Sequence, residues 1–287
     1  MRKNILISSQ FGHEIMACNF AKAYGVRVYI CPNKEDKKEY VNEAVKIFNN
    51  MYFFNGLCNI VPFEQREQAR AECRDIIAEL KAGKLEDSAW ADFAGSKLMP
   101  AIDVTRLPEY VGMEDKCNVL FIPQKLVSDG QCGVTAEQQS LPYGTFEFLK
   151  GRPEQLVLGQ HFNKVADLDK VQALAAEFGL YVPGMAENSE VFGIRGVSHK
   201  LYYNMYKSLR ASIGIAGTHT WYLLTMFPEI PQVILFNEKG VERWKALEAA
   251  YKKRGYNIRC IGFHEGIDMD ALKNEIKLAY VEMMKAR

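Results

Sequence analysis

Most of the polar residues that could do chemistry stand in two short turns, and each turn follows an apolar run. The first spans residues 213–221 and reads I-G-I-A-G-T-H-T-W, so an apolar strand runs straight into Gly217 and Thr218 before an apolar helix. Glycine lets a backbone approach a ligand closely, and the amides of a first helical turn point outward with the positive end of the helix dipole. The turn therefore predicts a binding site for an anion such as a diphosphate.

The side chains of this turn add further hydrogen-bonding groups. Thr218 and Thr220 offer hydroxyls, and His219 offers a ring nitrogen. The alternative interpretation is a tight strand-to-helix turn with an ordinary N-cap. Because His219, two threonines and Trp221 are concentrated on one short segment, the ligand-binding interpretation is favoured.

The second turn lies near the amino terminus, in S-S-Q-F-G-H-E-I-M-A, where Gly12, His13 and Glu14 fall at a predicted helix start. A carboxylate there can act as a general base, and His13 can do the same with a pKa nearer neutrality. Glu14 alone is also explained as an acid favoured by the helix dipole, but that leaves the Gly-His pair without a role. No G-x-G-x-x-G follows, so a dinucleotide fingerprint is absent.

Basic residues near predicted strand ends in the second half can neutralise phosphate charge. They are Lys125, His161, Lys164, Arg195 and His199. For each one taken alone a solvated surface position is the simpler interpretation. Arg195 and His199, which stand just before a predicted helix, are the strongest of the group.

Short apolar runs alternate with segments of helical period, which predicts βα units around parallel sheets. Strands are predicted at residues 4–8, 26–31, 59–62, 118–122, 155–158, 180–182, 212–216, 232–236 and 257–261. Helices are predicted at residues 13–24, 64–82, 168–178, 200–210, 219–227, 241–254 and 268–285. Two such series, 1–116 and 117–287, predict two facing, doubly wound Rossmann-like domains. Ligands of such sheets bind beyond the carboxyl ends of the strands.

Composition restricts the partners and the compartment. Lys and Arg number 36 against 35 Asp and Glu, so no nucleic-acid surface is predicted. Seven scattered cysteines, an odd number without C-x-x-C spacing, are typical of reduced structural thiols. Three acids that could bind a metal, Asp103, Asp129 and Glu265, lack ligand spacing, so no metal is predicted. With neither a signal peptide nor a transmembrane segment of ~20 apolar residues, the chain is expected to be cytoplasmic.

Taken together and in this order, the two turns resemble the glycosyltransferases of the two-Rossmann-domain (GT-B) fold. The segment F-G-H-E-I-M-A-C-N-F-A-K-A is similar to the G-x-G-D-V turn that opens heptosyltransferase-like enzymes, with Glu14 at the position of their catalytic Asp. It also resembles the G-N-Q-M-F-Q-Y-A-F-A opening of bacterial α-1,2-fucosyltransferases. The later segment, S-I-G-I-A-G-T-H-T-W-Y, is similar to D-[ST]-G-P-x-H-L-A in the first group and to S-N-S-T-F-S-W-W in the second.

The chain departs from both patterns. Ala216 stands in place of the heptosyltransferase Asp and Trp221 in place of its His, and residues 121–125 do not match the fucosyltransferase H-x-R-R-G-D motif. The resemblance is specific over residues 4–24 and 200–236. Elsewhere it concerns only the architecture.

The resemblance implies an inverting, metal-independent transfer of a sugar from a nucleotide-sugar donor to a glycan or other hydroxyl-bearing acceptor. No further cofactor is implied. Members of this fold that build surface glycans work at the cytosolic face of a membrane, so the resemblance leaves room for peripheral membrane contact. The catalytic residues would be Glu14 and His13. The donor would be bound by Gly217, Thr218, His219, Thr220, Arg195, Lys125 and Lys164.

Two other functions are compatible with the same residues. A nucleotide-sugar epimerase of the same architecture would act on a sugar carbon and show no dependence on an acceptor. A non-catalytic nucleotide- or sugar-binding protein is the second alternative, since the family Asp is missing at Ala216.

Overall fold

The computed structural model of the chain describes residues 4–8, 25–31, 58–74, 118–122, 138, 140–159, 168–182, 206, 208–217, 219–220, 223–224, 227–238 and 244–285. The chain divides into two compact units. The first comprises Met1–Leu107 with Trp221–Pro228, and the second comprises Pro108–Thr220 with Glu229–Arg287. The predicted glutamate and histidine of the amino-terminal turn lie outside the described residues.

The first unit contains a parallel sheet whose strands follow one another in chain order. Its strands are β1 (Ile5–Ser8), β2 (Val28–Cys31) and β3 (Cys58–Ile60), paired β1-β2-β3. A short 3-10 helix, Phe63–Gln65, leads into helix α1 (Arg66–Glu72). Leu6, Cys31, Val61 and Ala69 form the buried cluster where the strands meet this helix.

Helix α1 ends ten residues before the end that was predicted from its apolar period. Cys73 is already extended, with φ −106° and ψ 166°. Arg74 lies beside β1: its N–H donates to the Asn4 carbonyl at 2.7 Å, and its carbonyl accepts from the Leu6 N–H at 2.9 Å. The helix prediction over 64–82 is therefore wrong at Cys73 and Arg74, because pairing with β1 takes the chain out of the helix, and its remainder, 75–82, lies outside the described residues. Arg74 and β2 lie on opposite sides of β1, so the strand order reverses there.

The second unit is built on a five-stranded, all-parallel sheet. Its strands are β4 (Asn118–Ile122), β5 (Gln155–Leu158), β6 (Leu209–Ile215), β7 (Gln232–Asn237) and β8 (Ile258–Phe263), in the spatial order β5-β4-β6-β7-β8. Tyr181 adds a parallel bridge on the outer side of β5. Numbered along this unit, the order becomes 3-2-1-4-5-6, which is that of the Rossmann fold. The predicted α/β class with parallel strands is confirmed.

The helices of this unit follow the predicted βα alternation. They are α2 (Leu168–Phe178), α3 (Trp244–Lys253) and α4 (Met269–Lys285), with a 3-10 helix at Tyr143–Leu149. The helix predicted over 200–210 is wrong at its end, because Leu209 and Arg210 already belong to β6. There Leu209 pairs with Asn118 of β4. Pairing with a neighbouring strand outweighs the local helix propensity of these residues.

A buried carboxylate fastens α3 to the sheet. Glu248 accepts a hydrogen bond from the Cys260 backbone N–H of β8 at 2.8 Å, and its other oxygen accepts one from Lys252 at 2.5 Å. Arg259 approaches the same carboxylate at 3.5 Å. Burial, and then this carboxylate, raise the pKa of the Cys260 thiol well above its ordinary value. Burial likewise raises the pKa of Cys31. Both are reduced thiols and not half of a disulfide, which suits the structural role predicted for them.

Candidate functional site

The turn singled out in the sequence begins directly at the carboxyl end of β6. The strand is buried from Ala211 to Ile215, because the sheet is covered on both faces. Its ladder extends one residue further, as the Ala216 N–H donates to the Leu235 carbonyl of β7 at 2.7 Å. Gly217 is half-buried, and His219 and Thr220 are helical. The sequence pattern thus located the change from strand to helix within two residues.

Two reciprocal hydrogen bonds close the turn. The Gly217 N–H donates to Thr220 Oγ1 at 3.2 Å, and the Thr220 N–H donates to the Gly217 carbonyl at 3.1 Å. The first bond is one half of a capping box, with Gly217 at the N-cap and Thr220 three residues later, and the second is a backbone bond of the turn. Thr220 is almost fully buried, so its hydroxyl holds the shape of the turn. The Thr220 side chain therefore positions the backbone of the turn.

His219 lies beneath the turn, in the core of the second unit. Its Nδ1 is hydrogen-bonded to the hydroxyl of Tyr206, and the two rings meet edge to face with centroids 5.9 Å apart. Both side chains are buried. The bond fixes the orientation of the imidazole, and with it the first turn of the helix, because a buried tyrosine hydroxyl requires a polar partner. In the sequence, Tyr206 is marked only by its place three residues before the strand.

Close packing against the neighbouring strand, β4, explains why a glycine stands inside β6. Gly214 has φ 147°, a region that L side chains rarely adopt, and it pairs with Ile122 at the end of β4. A Cβ at this position would come within 2.7 Å of the Ile122 carbonyl carbon. The close approach brings the carboxyl ends of β4 and β6 side by side. Since β5 lies on the other side of β4, this is the point where the strand order reverses, and such a point is where open α/β sheets bind ligands.

A second concave feature lies farther along the same edge of the sheet. A cavity of about 360 Å³ opens at the carboxyl ends of β7 and β8, between the segment around Ser140 and the start of α4. Asn237, the last residue of β7, closes one side by donating from Nδ2 to the Gln138 carbonyl at 2.6 Å. Sequence reasoning missed this cavity, because its walls come from segments more than 100 residues apart.

The structure does not describe the six other residues of the predicted site. Thr218 lies outside the described residues, as do the catalytic candidates Glu14 and His13. The same holds for the basic candidates Lys125, Lys164 and Arg195. The structure therefore relates only Gly217, His219 and Thr220 of the predicted set, and their role in donor binding stays a prediction.

The described residues contain no group of three or more His, Cys, Asp or Glu side chains placed to hold a metal ion. In the same ranges, no helix has the length and apolar character to cross a membrane. Comparison with known protein families, with curated proteins and with solved structures gave no match.

Proposed function

We propose that this protein is a glycosyltransferase that moves a sugar from a nucleotide-sugar donor to an acceptor hydroxyl, with inversion and without a metal ion. The observation that supports the proposal most directly is the position of the Gly217 turn. It follows β6 at the point where the strand order of the parallel sheet reverses, and this is the place where sheets of this type bind ligands.

In this proposal the turn receives the diphosphate of the donor. The reciprocal bonds between Gly217 and Thr220 keep the helix start in one shape, and the buried His219–Tyr206 pair supports it from below. When the bond to the sugar breaks, the leaving diphosphate gains negative charge. The helix dipole, together with the basic candidates Lys125, Lys164 and Arg195, offsets that charge.

The chemical step is assigned to the amino-terminal turn. Glu14, or His13 in its place, takes the proton from the acceptor hydroxyl while the acceptor oxygen attacks the anomeric carbon. The bond between that carbon and the diphosphate oxygen breaks with its electron pair on the leaving group, so the configuration inverts. The two-domain GT-B architecture, in which a donor domain faces an acceptor domain, is part of this proposal.

The first experiment tests donor binding. Thermal unfolding is followed with UDP-, GDP-, ADP- and CMP-linked sugars, each at increasing concentration. A donor at 100 times its Kd stabilises the folded state by about 2.7 kcal/mol, so one class should raise the melting temperature clearly. If none of the four classes shifts the transition, the proposal is overturned.

The second experiment tests catalysis with the donor so identified. Glu14→Gln should lower the transfer rate by roughly 10² to 10⁴-fold while donor binding is retained. His13→Ala decides which of the two residues is the base. Glu67→Gln, an exposed position of the first unit, serves as the matched control and should transfer normally. Turnover that survives both Glu14→Gln and His13→Ala would refute the assignment. Turnover without any acceptor would favour the epimerase.

A further inference from the structure

Among the described strands, β8 is the outermost on its side of the five-stranded sheet, so β7 pairs with only one of its two sides. The carbonyls of Asn257 and Phe263 accept hydrogen bonds from N–H groups at the start of β7 and just beyond its end. Backbone groups alternate in direction along a paired strand. Those of Ile258, Cys260 and Gly262 therefore point outwards, away from β7.

This outer side of β8 is symmetrical in a way that suits a second copy of the chain. Its three outward-pointing residues are centred on Cys260, and the strand, I-R-C-I-G-F, has a single charged side chain. A twofold axis at Cys260 would place two β8 strands antiparallel, with Cys260 opposite its counterpart and Ile258 opposite Gly262. An outer strand with such a row of hydrogen-bonding groups is a template for pairing.

A carboxylate of α3 occupies the centre of that row. Glu248 Oε2 accepts from the Cys260 N–H at 2.8 Å, and the Glu248 side chain is largely buried. In an antiparallel pair of two β8 strands, this N–H would instead donate to a carbonyl of the second copy. The carboxylate therefore stands where that carbonyl oxygen would have to lie, and its negative charge repels the oxygen dipole.

Two cations hold the carboxylate in this position. Lys252 Nζ lies 2.5 Å from Glu248 Oε1, and an Arg259 nitrogen lies 3.5 Å from the same oxygen. The Arg259 guanidinium also lies 3.4 Å from Glu275 of α4. Arg259 thus links α3 to α4 beside β8. Exposed ion pairs contribute little, so the hydrogen bond from the buried N–H to the carboxylate is the stronger element.

We propose that Glu248 is an edge guard, a residue that keeps β8 from pairing with the β8 strand of a second copy of this chain. Natural sheets commonly protect their outer strands with charged side chains. Here the charge also satisfies the central donor of the strand. The inference concerns self-association of the chain, and it does not depend on the proposed transfer of a sugar.

The test measures self-association of the full chain by sedimentation velocity over a range of concentrations. Glu248→Leu keeps a side chain of similar volume but removes the oxygen that covers the Cys260 N–H. Its self-association constant should rise by about tenfold or more over the parent, which corresponds to about 1.4 kcal/mol. Arg259→Thr, at an exposed position, removes only the guanidinium, and the constant should rise by roughly threefold.

A matched control separates loss of the guard from loss of stability. Ser208→Ala removes a buried hydrogen bond elsewhere in the same sheet and leaves β8 untouched. It should be less stable than the parent and should associate no more than the parent does. Hydrogen exchange locates the contact, because the amides of Ile258 and Gly262 should gain protection in the two-copy species of Glu248→Leu.

Three results would overturn the inference. The first is a folded Glu248→Leu chain that sediments as the parent at every concentration. The second is equal association of Ser208→Ala, which would trace the effect to lost stability. The third is association without added protection of Ile258 and Gly262, which would place the contact on another surface. If Glu248→Leu does not fold, Arg259→Thr is judged by the same three results.

Discussion

The five-stranded sheet uses polar groups differently where its strands begin and where they end. We call the side where the strands begin the amino edge and the side where they end the carboxyl edge. At the amino edge, Asn118 and Ser208 are both buried and hydrogen-bonded to each other at 2.7 Å, and the Arg152 guanidinium lies 5.1 Å from the centre of the Tyr280 ring. At the carboxyl edge, Gly214 brings two strand ends together, a turn follows, and a cavity opens next to it. One edge joins the strands, whereas the other carries the turn and the cavity. The comparison makes separable predictions about stability and binding.

The largest effect is expected at Gly214, where the carboxyl edge depends on the absence of a side chain. Gly214→Ala places a Cβ against the Ile122 carbonyl and forces a strained φ. We expect a loss of about 3 kcal/mol in the free energy of unfolding, from overpacking and backbone strain together. Urea denaturation measures it. Gly144→Ala is the control, because a Cβ there meets open space. A Gly214→Ala protein as stable as the parent would contradict the close approach.

The next effect concerns the amino edge alone. Ser208→Ala removes the acceptor of the Asn118 amide and leaves a buried donor without it. The unfolding free energy should fall by about 2 kcal/mol, the usual cost of such a group. Nucleotide affinity, measured on the folded variant, should not change. A variant that lost affinity would show that the two edges are not independent.

At the turn, we expect a smaller loss of stability together with a loss of nucleotide affinity. Thr220→Val removes the oxygen that accepts from the Gly217 N–H. The cost is about 1 kcal/mol in stability, and nucleotide affinity should fall by roughly fivefold if the ligand depends on the shape of the turn. Thr220→Ser keeps the hydroxyl and should restore both quantities. If valine and serine bind alike, the hydrogen bond from Gly217 to Thr220 plays no part in binding.

The smallest effect at neutral pH belongs to Tyr280, near the amino edge. Burial, and then Glu154, raise its pKa from 10.0 to about 12. Folding thus favours the neutral form of Tyr280. The stability that this shift contributes is fully present below pH 10 and is lost as the pH rises towards 12. Tyr280→Phe should leave stability at pH 7 nearly unchanged and reduce its loss above pH 10 by at most about 1.4 kcal/mol per pH unit. Equal alkaline losses in both proteins would contradict the shift.

The sequence predicted the sheet well where strands are apolar throughout. The bounds predicted for β4, β5 and α2 are those observed, because buried parallel strands and amphipathic helices have distinct patterns. The errors arose where a distant strand decided the conformation. Arg74 pairs with β1 and Leu209 pairs with β4, and no local pattern announces either. For the site, the turn was found from its glycine and threonines. No local pattern predicts the cavity, because its walls come from distant parts of the chain.

The all-parallel sheet also has a consequence for how the chain is made. The pairing of β4 with β6 brings together Asn118 and Ser208, which are 90 residues apart, so the central pair cannot form early from local contacts. At about 5–20 residues per second, a ribosome needs roughly 5–18 s to add the chain between them. During that time β4, with its sequence N-V-L-F-I, has one edge without its final partner. Exposed apolar strand edges promote aggregation, so the yield of folded protein should rise when a chaperone covers this strand during that interval.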